Sequence, residues 1–97
     1  MDIHYKIKEE LYMSLLNKLF KKNKIIMYSD DLWMDCQKAK SFFAEHNIDI
    51  TIKDISNSEI INEMKKKYNR VMTPTIVISG ETFIGFEQNI DKIEKIL

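Results

Sequence analysis

Residues 24–40 read Lys24-Ile25-Ile26-Met27-Tyr28-Ser29-Asp30-Asp31-Leu32-Trp33-Met34-Asp35-Cys36-Gln37-Lys38-Ala39-Lys40. The apolar run over 24–28 gives way to polar Ser29-Asp30-Asp31, the pattern of a buried strand entering a loop. Asp30 or Asp31 is then placed to cap a helix in which Trp33, Cys36, Ala39 and Phe43 recur at three-to-four spacing, ending near Asn47. Ile48, Ile50 and Ile52 next alternate with Asp49, Thr51 and Lys53, the period-two signature of a strand with one wetter face. Strand, helix and strand in this order predict a parallel pair joined by a right-handed crossover.

Working outward, Ser56-Asn57-Ser58-Glu59 has the form of a capping box, and Ile60, Ile61, Met64 and Tyr68 make the inward stripe of the helix behind it. Two β-rich runs, 75–78 and 82–86, are joined by Ser79-Gly80-Glu81, a connection of hairpin length with glycine available for positive φ. Asn89 is placed to cap a last helix burying Ile90, Ile93 and Ile96 or Leu97. Upstream, Ile7, Leu11, Leu15 and Leu19 recur every four residues beside Tyr12, Leu16 and Phe20, which predicts an amphipathic helix across 5–22. Its stripe must dock on its own domain, a partner or a surface, and a small sheet needs helices to cover its faces. The order is α, β-α-β, α, β-β, α: an α/β chain with a four-stranded mixed sheet flanked by helices, one domain over 1–97 with an extra N-terminal helix (1–23) before the core (24–97).

Composition bounds the function. With 97 residues, 15 basic and 15 acidic, the chain is sized for one core and has no global field drawing it to nucleic acid or anionic lipid. The triplet Lys65-Lys66-Lys67 reads as the solvated face of a helix. No run approaches the ~20 apolar residues of a membrane span, and the acidic N-terminus is not that of a secretory signal. One cysteine excludes an internal disulfide and a metal site of several thiolates, and fits a reducing, cytoplasmic setting. His4 and His46 fall at helix ends and read as surface residues.

The single Cys, Pro and Trp and one of two glycines gather where chemistry would sit: Trp33 and Cys36 after the first strand, Pro74 before the hairpin, Gly85 at its end. Here the sequence resembles the glutaredoxins, within the thioredoxin fold. Residues 24–29 and 33–40 resemble that family's strand, Tyr-Ser/Thr, Cys-x-x-Cys and helix. Val71-Met72-Thr73-Pro74-Thr75 resembles its Thr-Val-Pro segment, whose proline is cis. Thr82-Phe83-Ile84-Gly85-Phe86 resembles its final strand ending in Gly-Gly or Gly-Phe. The resemblance covers residues 24–97.

It implies a thiol-disulfide redox protein with substrate contacts at Tyr28, Thr73, Pro74, Gly85, Phe86 and Asn89, Thr73 supplying backbone groups that pair with an extended substrate. The departures reshape that expectation. The attacking first cysteine is replaced by Trp33, so a dithiol cycle within one chain is lost. Cys36, the resolving position, is left as the candidate catalytic residue for single-thiol, mixed-disulfide chemistry, and its acidic neighbours Asp30, Asp31 and Asp35 argue for weak reactivity. Its bland reading is a small buried residue beneath Trp33. Trp33 itself reads either as a core residue of the helix face or as a lid or aromatic surface over the old site. Phe86 and Asn89 depart from the family's glutathione-recognition glycine and aspartate, which argues against a glutathione cofactor, and the missing first cysteine argues against an iron-sulfur cluster. The partners expected are a small thiol or a protein or peptide, with a monomer favoured and the oligomeric state left open by the sequence; the rival to redox chemistry is a non-catalytic module that docks a peptide beside Pro74.

Overall fold

The side chains of the first strand leave alternately to opposite faces, and the whole architecture follows from what each face meets. The computed structural model describes residues 24–97, and the helix expected over 5–22 lies outside them. The elements are β1 (Ile25–Ser29), α1 (Met34–Glu45), β2 (Ile50–Asp54), α2 (Ser58–Tyr68), β3 (Thr75–Ile78), β4 (Glu81–Ile84), a 3-10 turn (Glu87–Asn89) and α3 (Ile90–Ile96). The strands form one sheet in the order β2-β1-β3-β4, with β1–β2 parallel and the other two pairs antiparallel. This is the four-stranded mixed sheet with flanking helices that the segment order implies.

On one face, Ile25 stands opposite Ile78, Met27 opposite Ile76, and Ile76 opposite Phe83. Ala39 and Phe43 of α1 and Ile93 of α3 close over these residues to make the main core. At roughly 1.5–3 kcal/mol for each large apolar side chain removed from water, this layer is the principal source of stability. The three-to-four spacing of Cys36, Ala39 and Phe43 is the buried stripe of α1. The other face of β1 meets α2: Tyr28 packs edge-on against Tyr68, and its hydroxyl donates to Glu63. Lys53 of β2 donates to the same carboxylate at 2.6 Å and lies over the Tyr28 ring.

Several ends differ from the sequence expectation. Asp30 and Asp31 do not cap α1; the N-cap position is Trp33, without a side-chain cap. Asp30 lies too early, and is spent on a turn in which its carboxylate accepts the Leu32 N–H and its carbonyl the Trp33 N–H. The cap of α2 is Asn57, whose Oδ1 accepts the Glu59 N–H at 2.9 Å, because Ser56 is held one residue earlier by Asp54. Asn89 does not cap α3 through its side chain, and a 3-10 turn intervenes. Ile96 and Leu97 are exposed, since seven residues of α3 bring only Ile93 fully into the core.

The Tyr28–Glu63–Lys53 cluster makes stability pH-dependent. Its hydrogen bonds from Lys53 and Tyr28 hold the Glu63 carboxyl below its ordinary value near 4.5, so its contribution is present above that value and is lost as pH falls through the lowered one. Burial and the Glu63 bond push the Tyr28 phenol upward from about 10, so stability is also lost above pH 10, where the unfolded tyrosine ionises first. Urea titrations should show a shallower acid-side loss for Glu63→Gln than for the parent. Tyr28→Phe should cost on the order of 1–2 kcal/mol at neutral pH and flatten the alkaline limb. Parallel pH profiles for parent and variants would remove the cluster's assigned role.

Candidate functional site

The C-terminal end of β1, the first turn of α1, the segment before β3 and the turn after β4 converge at one end of the sheet. Trp33, in extended conformation just ahead of α1, is 59% exposed, flanked by Leu32 and Met34, both largely in solvent. Its reading as a core residue is therefore corrected: the helical stripe starts at Cys36, and Trp33 lies before the first helical turn. Its indole is left as an exposed aromatic surface.

Cys36 is fully buried. Its sulfur receives the Asp30 N–H at 3.5 Å, so the loop leading into α1 folds over it. Ser29, also buried, keeps a hydroxyl with no hydrogen-bond partner among the described residues. In this arrangement the thiol of the candidate catalytic residue is out of contact with solvent.

Beside the first turn of α1 opens a groove of about 540 Å3, walled by Met34, Asp35 and Lys38 on one side and by Met72, Thr73, Ile84 and Gly85 on the other. The Thr73–Pro74 bond is cis and the proline ring is buried. Gly85, at φ +91°, donates its N–H to the Pro74 carbonyl at 2.8 Å. A Cβ there would stand 2.6 Å from Nε2 of Gln88, so this position tolerates only glycine without rearrangement.

Of the residues singled out from sequence, Thr73 and Gly85 meet in this groove and four others do not line it. Tyr28 belongs to the opposite face, because alternation along β1 sends it to α2. The Phe86 ring turns inward against Phe42 and Phe43. Asn89 is occupied in donating to the carbonyls of Ile84 and Gly85, both at 2.8 Å. The Pro74 ring is buried and its carbonyl is taken by the Gly85 N–H.

The groove also contains residues that the sequence did not single out as contacts. The Asp35 carboxylate reaches across from α1 and accepts two backbone bonds, from Phe86 N–H at 2.7 Å and Glu87 N–H at 3.1 Å. Lys38, one turn on, pairs with the Glu87 carboxylate, which holds its ammonium more strongly protonated than usual. The only sequence signal for Asp35 was its place between Trp33 and Cys36; its partners lie 51 and 52 residues away in the chain. Among the described residues no cluster of His, Cys, Asp and Glu is arranged to hold a metal ion, and no helix is long and apolar enough to cross a membrane.

The same arrangement of strands and helices occurs in known proteins. The thioredoxin-like protein BC3987 superposes with a TM-score of 0.66 at 29% identity, over 76% of this chain and all of that one. Glutaredoxin 1 from Francisella tularensis, in complex with cacodylate, gives 0.57 at 28% identity, over 74% and 96%. A buckwheat glutaredoxin–glutathione complex gives 0.60 at 13% identity, over 89% and 82%, a likeness of fold alone. No curated protein sequence matches this chain. The sequence model described as Glutaredoxin matches residues 25–84, more than half the chain. With the mixed sheet and the convergence of Trp33, Cys36, Thr73 and Gly85 at one end of it, this match means that the chain belongs to the glutaredoxin family of thiol-disulfide redox proteins.

Proposed function

We propose that this chain is a glutaredoxin-family binding module that has lost dithiol chemistry and docks an extended, apolar peptide segment in the groove beside Thr73. The observation that carries the reading is the division of the old site: its exposed position holds Trp33, and its one sulfur, Cys36, is sealed beneath the loop. A dithiol cycle needs one thiolate to attack and a second thiol to resolve. The chain has one cysteine.

The groove supplies what a peptide needs. The Thr73 N–H and carbonyl make no hydrogen bond among the described residues, so an extended segment can pair with them as an added strand does. Met34 and Met72 stand on either side, exposed and adaptable in shape. Single-thiol exchange at Cys36 is the second reading, favoured by the Asp30 N–H directed at its sulfur, which would stabilise developing negative charge there. It requires the 30–33 loop to open.

Titration with an uncharged, blocked tetrapeptide of leucine, valine and alanine tests the docking: amide shifts should concentrate at Met72, Thr73 and Gly85, and shifts absent or scattered over the surface would refute it. Native protein should react with a chromogenic disulfide reagent on the order of a hundredfold more slowly than denatured protein. Fast native labelling, with disulfide-reductase turnover abolished by Cys36→Ser, would instead establish the single-thiol reading.

Trp33→Cys tests the placement of the lost position. The new thiol would stand in extended backbone at the helix start, three residues from Cys36, where a bridge is within reach. Oxidised variant should lose two hydrogens by mass spectrometry, with both thiols protected from alkylation. Two freely alkylated cysteines under oxidising conditions would mean that Trp33 does not stand where the attacking cysteine belongs.

A further inference from the structure

The polar groups around the groove are paired almost completely by the chain itself. The carbonyl of Ile84 accepts from Gln88 and Asn89, that of Gly85 from Asn89, that of Pro74 from the Gly85 N–H, and that of Met72 from the Thr75 hydroxyl. The donors of the turn after β4 are spent as well. The adjacent amides of Phe86 and Glu87 are both bound to the Asp35 carboxylate, and the Lys38 ammonium is bound to Glu87. What this pattern leaves, among the described residues, is the Thr73 peptide unit, flanked by Met72 and Ile84, and the uncapped first-turn amides of α1 across the groove.

Two neighbouring N–H groups that hold both oxygens of one carboxylate are, in geometry and charge, a carboxylate receptor. Here that receptor is filled from within. A ligand carboxylate approaching it would have to displace Asp35 and then lie beside the displaced negative charge, with the Lys38 ammonium already shared with Glu87.

We infer that Asp35 sets the specificity of the groove, acting as an internal ligand that fills the Phe86–Glu87 amide pair so that the groove takes an uncharged extended segment and turns away free carboxylates, glutathione included. This inference rests on the peptide-docking reading for what the groove accepts, and on the Asp35 geometry alone for what it rejects. Asp35 is thus a specificity residue on the α1 side, distinct from Phe86 and Asn89, the positions where the sequence departs from glutathione binders.

The test uses S-methylglutathione, whose blocked sulfur removes thiol exchange while both carboxylates remain, titrated into labelled protein and followed at the Phe86 and Glu87 amides. The parent should show little movement. Asp35→Ala should bind at least about tenfold more tightly, with shifts centred on those two amides, and Asp35→Asn, which keeps an acceptor but no charge, should fall between. Spectral dispersion checks that the variants are folded; if the alanine variant is not, the comparison of asparagine variant and parent decides. Equal binding by parent and variant overturns the inference, as does failure of the freed amides to take the probe. The blocked tetrapeptide, titrated into the same parent protein, separates the two claims: its failure to bind refutes peptide docking, whereas the gain of S-methylglutathione binding on removing Asp35 is read independently.

Discussion

The alternation of side chains along β1 is the constraint on which the remainder depends. Met27 and Tyr28 are neighbours in the chain and cannot serve the same layer. Met27 joins the core beneath α1, and with it goes the sealed position of Cys36, one turn before Ala39 on the same buried stripe. Tyr28 is committed to α2, where a phenol, a carboxylate and an ammonium satisfy one another in a partly dry setting. A strand of five residues therefore separates a side that carries Cys36 from a side that carries the Tyr28–Glu63–Lys53 cluster, and the residues resembling one family motif are split between them.

The groove is shaped by contacts that cross between elements distant in sequence. Asp35 on α1 holds the turn after β4, Gly85 holds the Pro74 carbonyl, and Asn89 holds the end of β4. Each bond satisfies a backbone group that would otherwise be costly to leave unpaired near the protein interior. The effect is a rim tied together across the chain in which, among the described residues, the Thr73 peptide unit is left unpaired. Exposed Leu32, Trp33 and Met34 extend apolar surface from that rim.

Much of the fold was legible in the sequence because it rests on periodicity. The Cys36–Ala39–Phe43 stripe and the glycine-bearing hairpin appear as elements of the expected type; the 48–53 alternation does give a strand, but Ile48 lies before it and Ile52 is exposed while Lys53 is half-buried against Glu63. What periodicity could not resolve was the competition between nearby polar residues for the same backbone donors: Asn57 rather than Ser56 caps α2, and Asp30 makes a turn rather than a cap. In the site, Thr73 and Gly85 were legible from their fixed relation to the proline and the strand end. Trp33 was left ambiguous, since helical spacing counts a residue as inward even when the helix begins one position after it. Asp35 was illegible as a contact, because its partners are main-chain amides and no side-chain pattern announces a backbone donor.

The hairpin carries a mechanical consequence. Ser79 and Gly80 join β3 and β4 with positive φ at both positions, a tight two-residue reversal that fixes which residues stand opposite: Ile78 with Glu81 at the turn, and Thr75 with Ile84 at the far end. The far end is the groove wall. Four residues of ladder, roughly 13 Å, thus transmit the geometry of a solvent-facing reversal to Gly85 and its bond with Pro74. An inserted residue that the turn could not absorb would slip the pairing one step and exchange the inward and outward faces of β4, turning Phe83 out of the core and moving Ile84 from the groove wall at the opposite end of the sheet.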